Sequence, residues 1–415
     1  MNFRRNIISF LIYLYIILLP LIPSKFKYKN IPFNGDIILA LIILLYVFQL
    51  VFLKETRKRF IEGIKDLTKD YFNISIIILL FIMYLSIGYA SSRTLAIKET
   101  FRFTTYIALY FIIKYEISSK RIIDNIIRCY ISVSLLISFI GVYQYIGGKG
   151  FVQKHGSETL VRIVSTLENS NNVGMFFILA VFPLIMLTLY EKEIKKKIFY
   201  GLTSFLFFIN IILSFSRNAW LGFAIGCFIL VLIYSIKLLF LFGGVGILAL
   251  FLPPVFSRIK QIDDMSQNIS RIKLWKTASI MIKDNPIFGV GNGNFAALYD
   301  SYITKYPDLR YCSYKVYHPH NIFLKIQSEL GIIGLVGFIG MIISIGFKLK
   351  KFINIIKDNF YKAFYSGVVA SMVAFLFMNI VDNFFSAPKV IAYFWIILSI
   401  SDNLLYNRFK YNITN

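Results

Sequence analysis

Tyr317-His318-Pro319-His320-Asn321, with Gly331-Ile332-Ile333-Gly334 beginning after nine further residues, closes a polar segment at 257–320 in a chain that is otherwise largely apolar. His155, His318 and His320 are its only histidines. For His318 and His320 the alternatives are a solvated turn beside Pro319 or a working imidazole. Three histidines can hold zinc with one position open, although this spacing matches no ligand motif. Arg217 lies in Ser214-Phe215-Ser216-Arg217-Asn218, between two apolar runs with almost no loop around it. A charge at a membrane boundary costs on the order of a few kcal/mol unless it snorkels or is paired. Arg217 is therefore either a snorkelling interfacial cation or an anion site, because the guanidinium fork suits phosphate oxygens. Arg271 poses the same choice at the expected start of a helix, where the dipole disfavours a cation. Glu329, two to three turns beyond His320, either orients a catalytic group or caps a membrane-entering helix. In Gly289-Val290-Gly291-Asn292-Gly293 the glycines let the backbone turn tightly or approach a ligand closely. No strand precedes them, which disfavours a nucleotide loop.

The elements that must position these residues are helices. The chain has 415 residues, 57% hydrophobic and 17% aromatic, with a mean hydropathy of +0.68, outside the soluble range. A bilayer core needs roughly 20 apolar residues per helix. About twelve runs qualify: 6–23, 37–52, 71–90, 101–115, 126–146, 173–190, 198–213, 219–235, 238–256, 322–347, 363–381 and 390–405. The expected fold class is all-α, a polytopic membrane protein with about 12 transmembrane helices and one large extracytoplasmic loop at 257–320. Three parts are expected: N-terminal helices over 1–197, a core over 198–347 that includes the loop, and C-terminal helices over 348–415.

Lysines and arginines favour short cytoplasmic loops. Arg4-Arg5, the cluster from Lys54 to Lys69, Lys114 with Lys120-Arg121, Lys192 with Lys195–Lys197, and Lys348 to Lys362 all fall in even-numbered loops. Both termini are therefore expected in the cytoplasm and the long loop outside; Lys25, Lys27 and Lys29 run against this but are outweighed. On that topology Arg93, Arg162 with Asn171-Asn172, Arg217, Arg271, His318, His320 and Asp382-Asn383 all lie on the outer face. Within the loop, 270–283 has helical spacing, with Ile272, Trp275, Ser279 and Ile282 near one face and a stop at Asn285-Pro286. A second helix is expected over 294–306, from Phe295, Leu298, Tyr299 and Tyr302, and both should lie on the membrane interface.

The net charge of +24 mostly reflects topology, plus affinity for anionic headgroups. It is spread over many loops, which argues against nucleic acid as a partner. Cys129 and Cys227 fall in spans and Cys312 in the loop, so no disulfide framework is implied. Arg4-Arg5 and the first run resemble a signal sequence lacking a small-residue cleavage site, and an uncleaved first helix is expected.

Several of these pieces together resemble the O-antigen ligase and polymerase superfamily: Ser216-Arg217 between two spans, Arg271-Ile272-Lys273-Leu274-Trp275, Asn285-Pro286-Ile287-Phe288-Gly289-Val290-Gly291, and His320-Asn321-x9-Gly331-x-x-Gly334. The likeness is strongest over 198–347, and Arg162 to Asn172 is also similar to a family segment. The resemblance implies a metal-independent, inverting glycosyltransferase on the outer face of the cytoplasmic membrane, without cofactor. It would move a glycan from an undecaprenyl diphosphate carrier to an acceptor hydroxyl on a glycan or lipid-linked partner. It assigns Arg217 and Arg271 to the donor diphosphate and His320 to the general base; Arg162, Asn321, Glu329, Asp382, Gly289 and Gly291 are candidate supporting residues. His318 falls outside the signature. The chemistry fits, since arginines stabilise a leaving diphosphate and an imidazole removes a proton near neutrality. The rival is a multi-span transporter or flippase of lipid-linked oligosaccharide. Against it stand the absence of a sequence repeat and polar residues massed on one face. The sequence does not decide between polymerase and ligase.

Overall fold

Long apolar runs form helices here, two of them with a proline inside, Pro20 and Pro183, and short polar side chains start several of them. Asn34, Asp70, Asn169 and Asp358 each accept a hydrogen bond from a first-turn backbone N–H, as N-caps do. The computed structural model describes residues 2–23, 27–28, 31–32, 34–155, 158–251, 256, 265–310 and 318–411. Tyr317, Cys312, Lys25 and Lys29 lie outside the described residues. In chain order the helices are α1 (Asn2–Leu21), α2 (Gly35–Phe52), α3 (Lys54–Leu67), α4 (Tyr71–Tyr89), α5 (Arg93–Glu116), α6 (Lys120–Ile146), α7 (Ser170–Tyr190), α8 (Ile194–Leu213), α9 (Arg217–Ile233), α10 (Lys237–Leu250), α11 (Met265–Asp284), α12 (Phe295–Lys305), α13 (Ile322–Ile355), α14 (Asn359–Met378) and α15 (Pro388–Tyr406). Two small antiparallel ladders, Lys27–Tyr28 with Ile31–Pro32 and Phe151–His155 with Glu158–Arg162, and two short 3-10 helices, Pro307–Leu309 and Phe384–Ser386, complete the described secondary structure.

Among the described residues, eight helices are long and apolar enough to cross a membrane: α2, α4, α6, α7, α8, α13, α14 and α15. Each of the other four apolar runs expected to span also overlaps a helix. In α1 and α9 the apolar stretch is shorter, α10 has only 14 residues, and α5 is interrupted by Lys98, Glu99 and Arg102. The basic stretch after α2, expected as a loop, forms its own helix, α3. Its Glu55 and Arg59 are paired one turn apart at 3.7 Å, a spacing that supports a helix, and Arg59 also reaches Glu116 of α5 at 2.8 Å.

The apolar core is continuous from α1 to α15. Along α7 nearly every side chain from Val173 to Leu184 is buried, the pattern of a helix surrounded on all sides. It packs against α8, α9 and α14, while α13 packs against α4 and α15 against α5. The chain reverses at one end of this bundle in three places that touch. Asn218, next to the start of α9, donates from Nδ2 to Met378 O at 2.9 Å. The Ile322 N–H that opens α13 donates to Asn379 O at 2.9 Å. Asn171, at the start of α7, reaches Asp382 at 3.4 Å.

The segment between α10 and α13 is anchored on a break in α13. Gly331 has φ 65 and ψ −164 inside that helix, a conformation open essentially only to glycine. The break frees backbone groups that the Gly289–Gly293 turn then satisfies. Val290 and Gly291 N–H donate to Ser328 O and Glu329 O at 2.9 and 2.8 Å, and Ile332 N–H donates to Pro286 O at 2.9 Å. The approach is close enough that a Cβ on Gly331 would stand 2.0 Å from Ile287 O. The helices α11 and α12 pack on each other through Leu274, Ala278, Met281, Val290, Phe295, Tyr299 and Ile303, with Leu324 of α13 against them. The buried face of α11 is therefore not the expected one, and Ile272 is exposed. Periodicity alone cannot tell which stripe a partner will cover, and here α12 covers the Leu274 side. Phe295 and Tyr299 of α12 are buried, as their spacing predicts.

Candidate functional site

His320 sits where three chain reversals meet, in a sharp turn just before α13. Its φ is +52, rare for a side chain that is not glycine. Asn321 then caps α13, its Oδ1 accepting from Leu324 N–H at 3.0 Å. The turn leaves the imidazole partly exposed, with Nδ1 3.0 Å from Asp382 Oδ1. Asp382 is buried, and with the carboxylate ionised this contact assigns the proton to Nδ1 and leaves Nε2 with its lone pair. Burial pushes the Asp382 carboxyl up, but the hydrogen bond from His320 and the nearby imidazoles outweigh it, and the group lies below the usual carboxylate range. Asn383 N–H donates to the same oxygen at 2.9 Å.

His318, expected to lie outside the working group, stands directly beside it. The two imidazole rings are 4.4 Å apart, centre to centre, and His318 Nδ1 accepts from His320 N–H at 3.2 Å. Burial and the neighbouring His320 push its pKa down to about 3, so it stays neutral and keeps that acceptor.

A polar chain leads from His320 to a guanidinium. Asp382 Oδ2 accepts from Asn171 Nδ2 at 3.4 Å, and Asn171 Oδ1 accepts from Arg162 at 3.0 Å. Arg162 Nε donates to Ser214 O at 3.0 Å, which ties this chain to the turn carrying Ser216 and Arg217. That turn is tight: Phe215 has φ +47, and Ser216 caps α9 through Ala219 N–H. Arg217 opens α9 and is half-buried, at the end of the bundle that holds His320.

Arg271 is also half-buried, but it does not start its helix. Because α11 begins at Met265, the helix-dipole objection to a cation there falls away. Arg271 lies one turn before Leu274, whose cluster is packed against Leu324, one turn after Asn321.

Glu329 is fully buried. Its Oε2 pairs with Lys325 Nζ at 2.7 Å and accepts from Gly293 N–H at 2.9 Å. Its Oε1 accepts from Phe295 N–H at 3.4 Å. Its capping role thus falls on α12 rather than on its own helix. Gly289 and Gly291, at φ +70 and +103, form the turn held by α13. Lys325 and Lys389 were not singled out from the sequence. Lys389, buried at the start of α15, reaches Glu168 at 3.2 Å and Thr166 O at 2.8 Å, fastening the segment between Arg162 and Asn171. The four-residue spacing of Lys325 and Glu329 was the available signal for the first pair. No local pattern marks the second, which is distant in sequence.

Among the described residues, His318, His320 and Asp382 also bring one ligand atom each to within 4.8 Å of one another. The trio weighed from the sequence was His155, His318 and His320, the chain's only histidines, whose spacing matches no ligand motif.

Residues 202–339 match a family model described as O-antigen ligase. A curated protein of Rickettsia felis named "Putative polysaccharide ligase" is 31% identical over 166 residues, 37% of this chain and 40% of the relative. The chain thus spans about 40% of that relative's length. The resemblance read from the sequence is supported by these matches, and the apolar helices fit a multi-pass membrane protein in which residues 202–339 are similar to the O-antigen ligase family.

Proposed function

With the O-antigen ligase match over 202–339 as premise, we propose that this protein transfers a glycan from an undecaprenyl diphosphate carrier to an acceptor hydroxyl, outside the cytoplasmic membrane and with inversion. The observation that carries this reading is the His320–Asp382 contact of 3.0 Å at the bundle end where Arg162 and Arg217 also lie. Asp382 holds Nδ1–H, and Nε2 takes the proton of the acceptor hydroxyl. The acceptor oxygen attacks the anomeric carbon from the face opposite the diphosphate, and the bond from that carbon to the phosphate oxygen breaks. Arg217 and Arg271 stabilise the charge that develops on the leaving diphosphate, and Arg162 braces the turn that carries Arg217. Asn321 caps the helix behind His320.

The test is glycan transfer by purified protein in lipid. His320→Ala should slow transfer by about 10²- to 10⁴-fold with donor still bound. Arg217→Lys and Arg271→Lys keep the charge but lose the two-pronged fork, and should also impair transfer. Full transfer by His320→Ala would overturn the general-base assignment, whereas no transfer by the wild type itself would favour a transporter. A second reading rests on the His318, His320 and Asp382 trio, whose spacing suits a divalent metal. It predicts loss of transfer in EDTA and recovery with zinc; the first reading expects no effect of the chelator. Single repeat units accumulating on the lipid carrier in a deletion strain would identify a polymerase, and long lipid-linked chains a ligase.

A further inference from the structure

At the other end of the bundle, α3, α4, α5, α13 and α15 line a cavity of about 690 Å³. Along α13, Lys348 lies 26 residues beyond Ile322, roughly 35–40 Å at 1.5 Å per residue, so this cavity is separate from the His320 site. Its acids already have partners. Asp66 pairs with Lys114 at 2.9 Å, and Lys348 pairs with Asp70 at 2.6 Å and also with Asp402. Three further cations line the same space: Lys69, Lys351 and Arg408. Lys69 and Lys351 are exposed and form no ion pair with a described acid, while Arg408 sits 4.8 Å from the centre of the Phe409 ring. The walls thus hold five cations against three carboxylates. Around them Tyr71, Phe347 and Phe409 are 83%, 70% and 71% exposed.

Aromatic side chains gather at the level of lipid headgroups, and basic pockets between membrane helices suit anionic headgroups. Guanidinium and ammonium donors also bind phosphate oxygens strongly. We propose that this cavity binds a phosphate group, carried by an anionic phospholipid whose acyl chains lie against the exposed aromatic rim. On the expected topology it faces the cytoplasmic leaflet, where anionic lipids are found.

The experiment places the full-length protein in phosphatidylcholine bilayer discs containing a small fraction of phosphatidylglycerol, and measures how much phosphatidylglycerol each protein retains. Wild type should retain it above its bulk fraction. Lys351→Gln, a change at an exposed side chain, should weaken retention about fivefold; adding Lys69→Gln and Arg408→Gln should abolish the enrichment. The comparison is Lys195→Gln/Lys196→Gln/Lys197→Gln, which removes exposed charge from the same end of the bundle but outside the cavity. Equal loss from the two triple variants would reduce the effect to general surface attraction and overturn the proposal. Displacement of the lipid by millimolar inorganic phosphate, with equal thermal stabilisation by phosphate alone, would overturn the lipid as carrier.

Discussion

At the scale of single residues, the proposed role of His320 in proton transfer, as against an imidazole merely resting in a turn, rests on its contact with Asp382. The carboxylate fixes the tautomer, and its pKa lies below the ordinary range, so it remains ionised at neutral pH. Asp382→Asn should lower turnover by about 10²- to 10⁴-fold, because the amide no longer fixes the proton on Nδ1. Donor affinity should be unchanged, and parallel measurements of kcat and KM would check both; a change confined to KM would argue against a positioning role. His318 makes a different contribution. Since its pKa is pushed down to about 3, it is neutral throughout the range from about pH 5 to 8 and serves as an acceptor. His318→Asn keeps an acceptor near the Nδ1 position and should retain most activity with an unchanged pH profile, whereas His318→Leu should lose more. Transfer rates across that range for the two variants would decide it.

At the scale of elements, the break in α13 and the Gly289–Gly293 turn form one unit. Each supplies backbone partners that the other lacks: Ser328 O and Glu329 O accept from the turn, and Ile332 N–H donates back to Pro286 O. Asn292 and Asn294 tie the same turn to α4 and α5 through Ser86, Thr100 and Ser92. Gly331→Ala should therefore cost about 1–3 kcal/mol in backbone strain alone, with the contact to Ile287 O adding to it. Gly346→Ala on the same helix, where an added Cβ meets nothing within 4 Å, should be close to neutral. Thermal unfolding in detergent distinguishes them, and equal midpoints would mean that the turn is not docked as described.

At the scale of the whole molecule, the alternation of helices puts His320, Asp382, Arg162 and Arg217 at one end of the bundle and the Lys348–Asp402 cluster at the other. The basic loops predict that the first end is outside the cell. In a cysteine-free background, Lys305→Cys should react with an impermeant thiol reagent in intact cells, and Lys351→Cys only after permeabilisation. The reverse pattern would turn the molecule over and remove the outward-facing site from the proposal.

Helix content, the membrane class and the family likeness were legible in the sequence because they depend on local composition and short motifs. Twenty apolar residues read as a helix whatever surrounds them, and the His320-Asn321-x9-Gly331 spacing survives without knowledge of the fold. The sequence also named Arg162, Asp382 and His320 individually. It could not join them, since Asn171 and Asp382 meet across 211 positions and His320 and Asp382 across 62. Such contacts depend on which helix ends the packing of α7, α13 and α14 brings together. The same holds for the buried stripe of α11, the placement of His318 beside His320, and the assignment of Glu329 to the start of α12. In each case local periodicity allows several faces or partners, and only burial against a particular neighbour selects one.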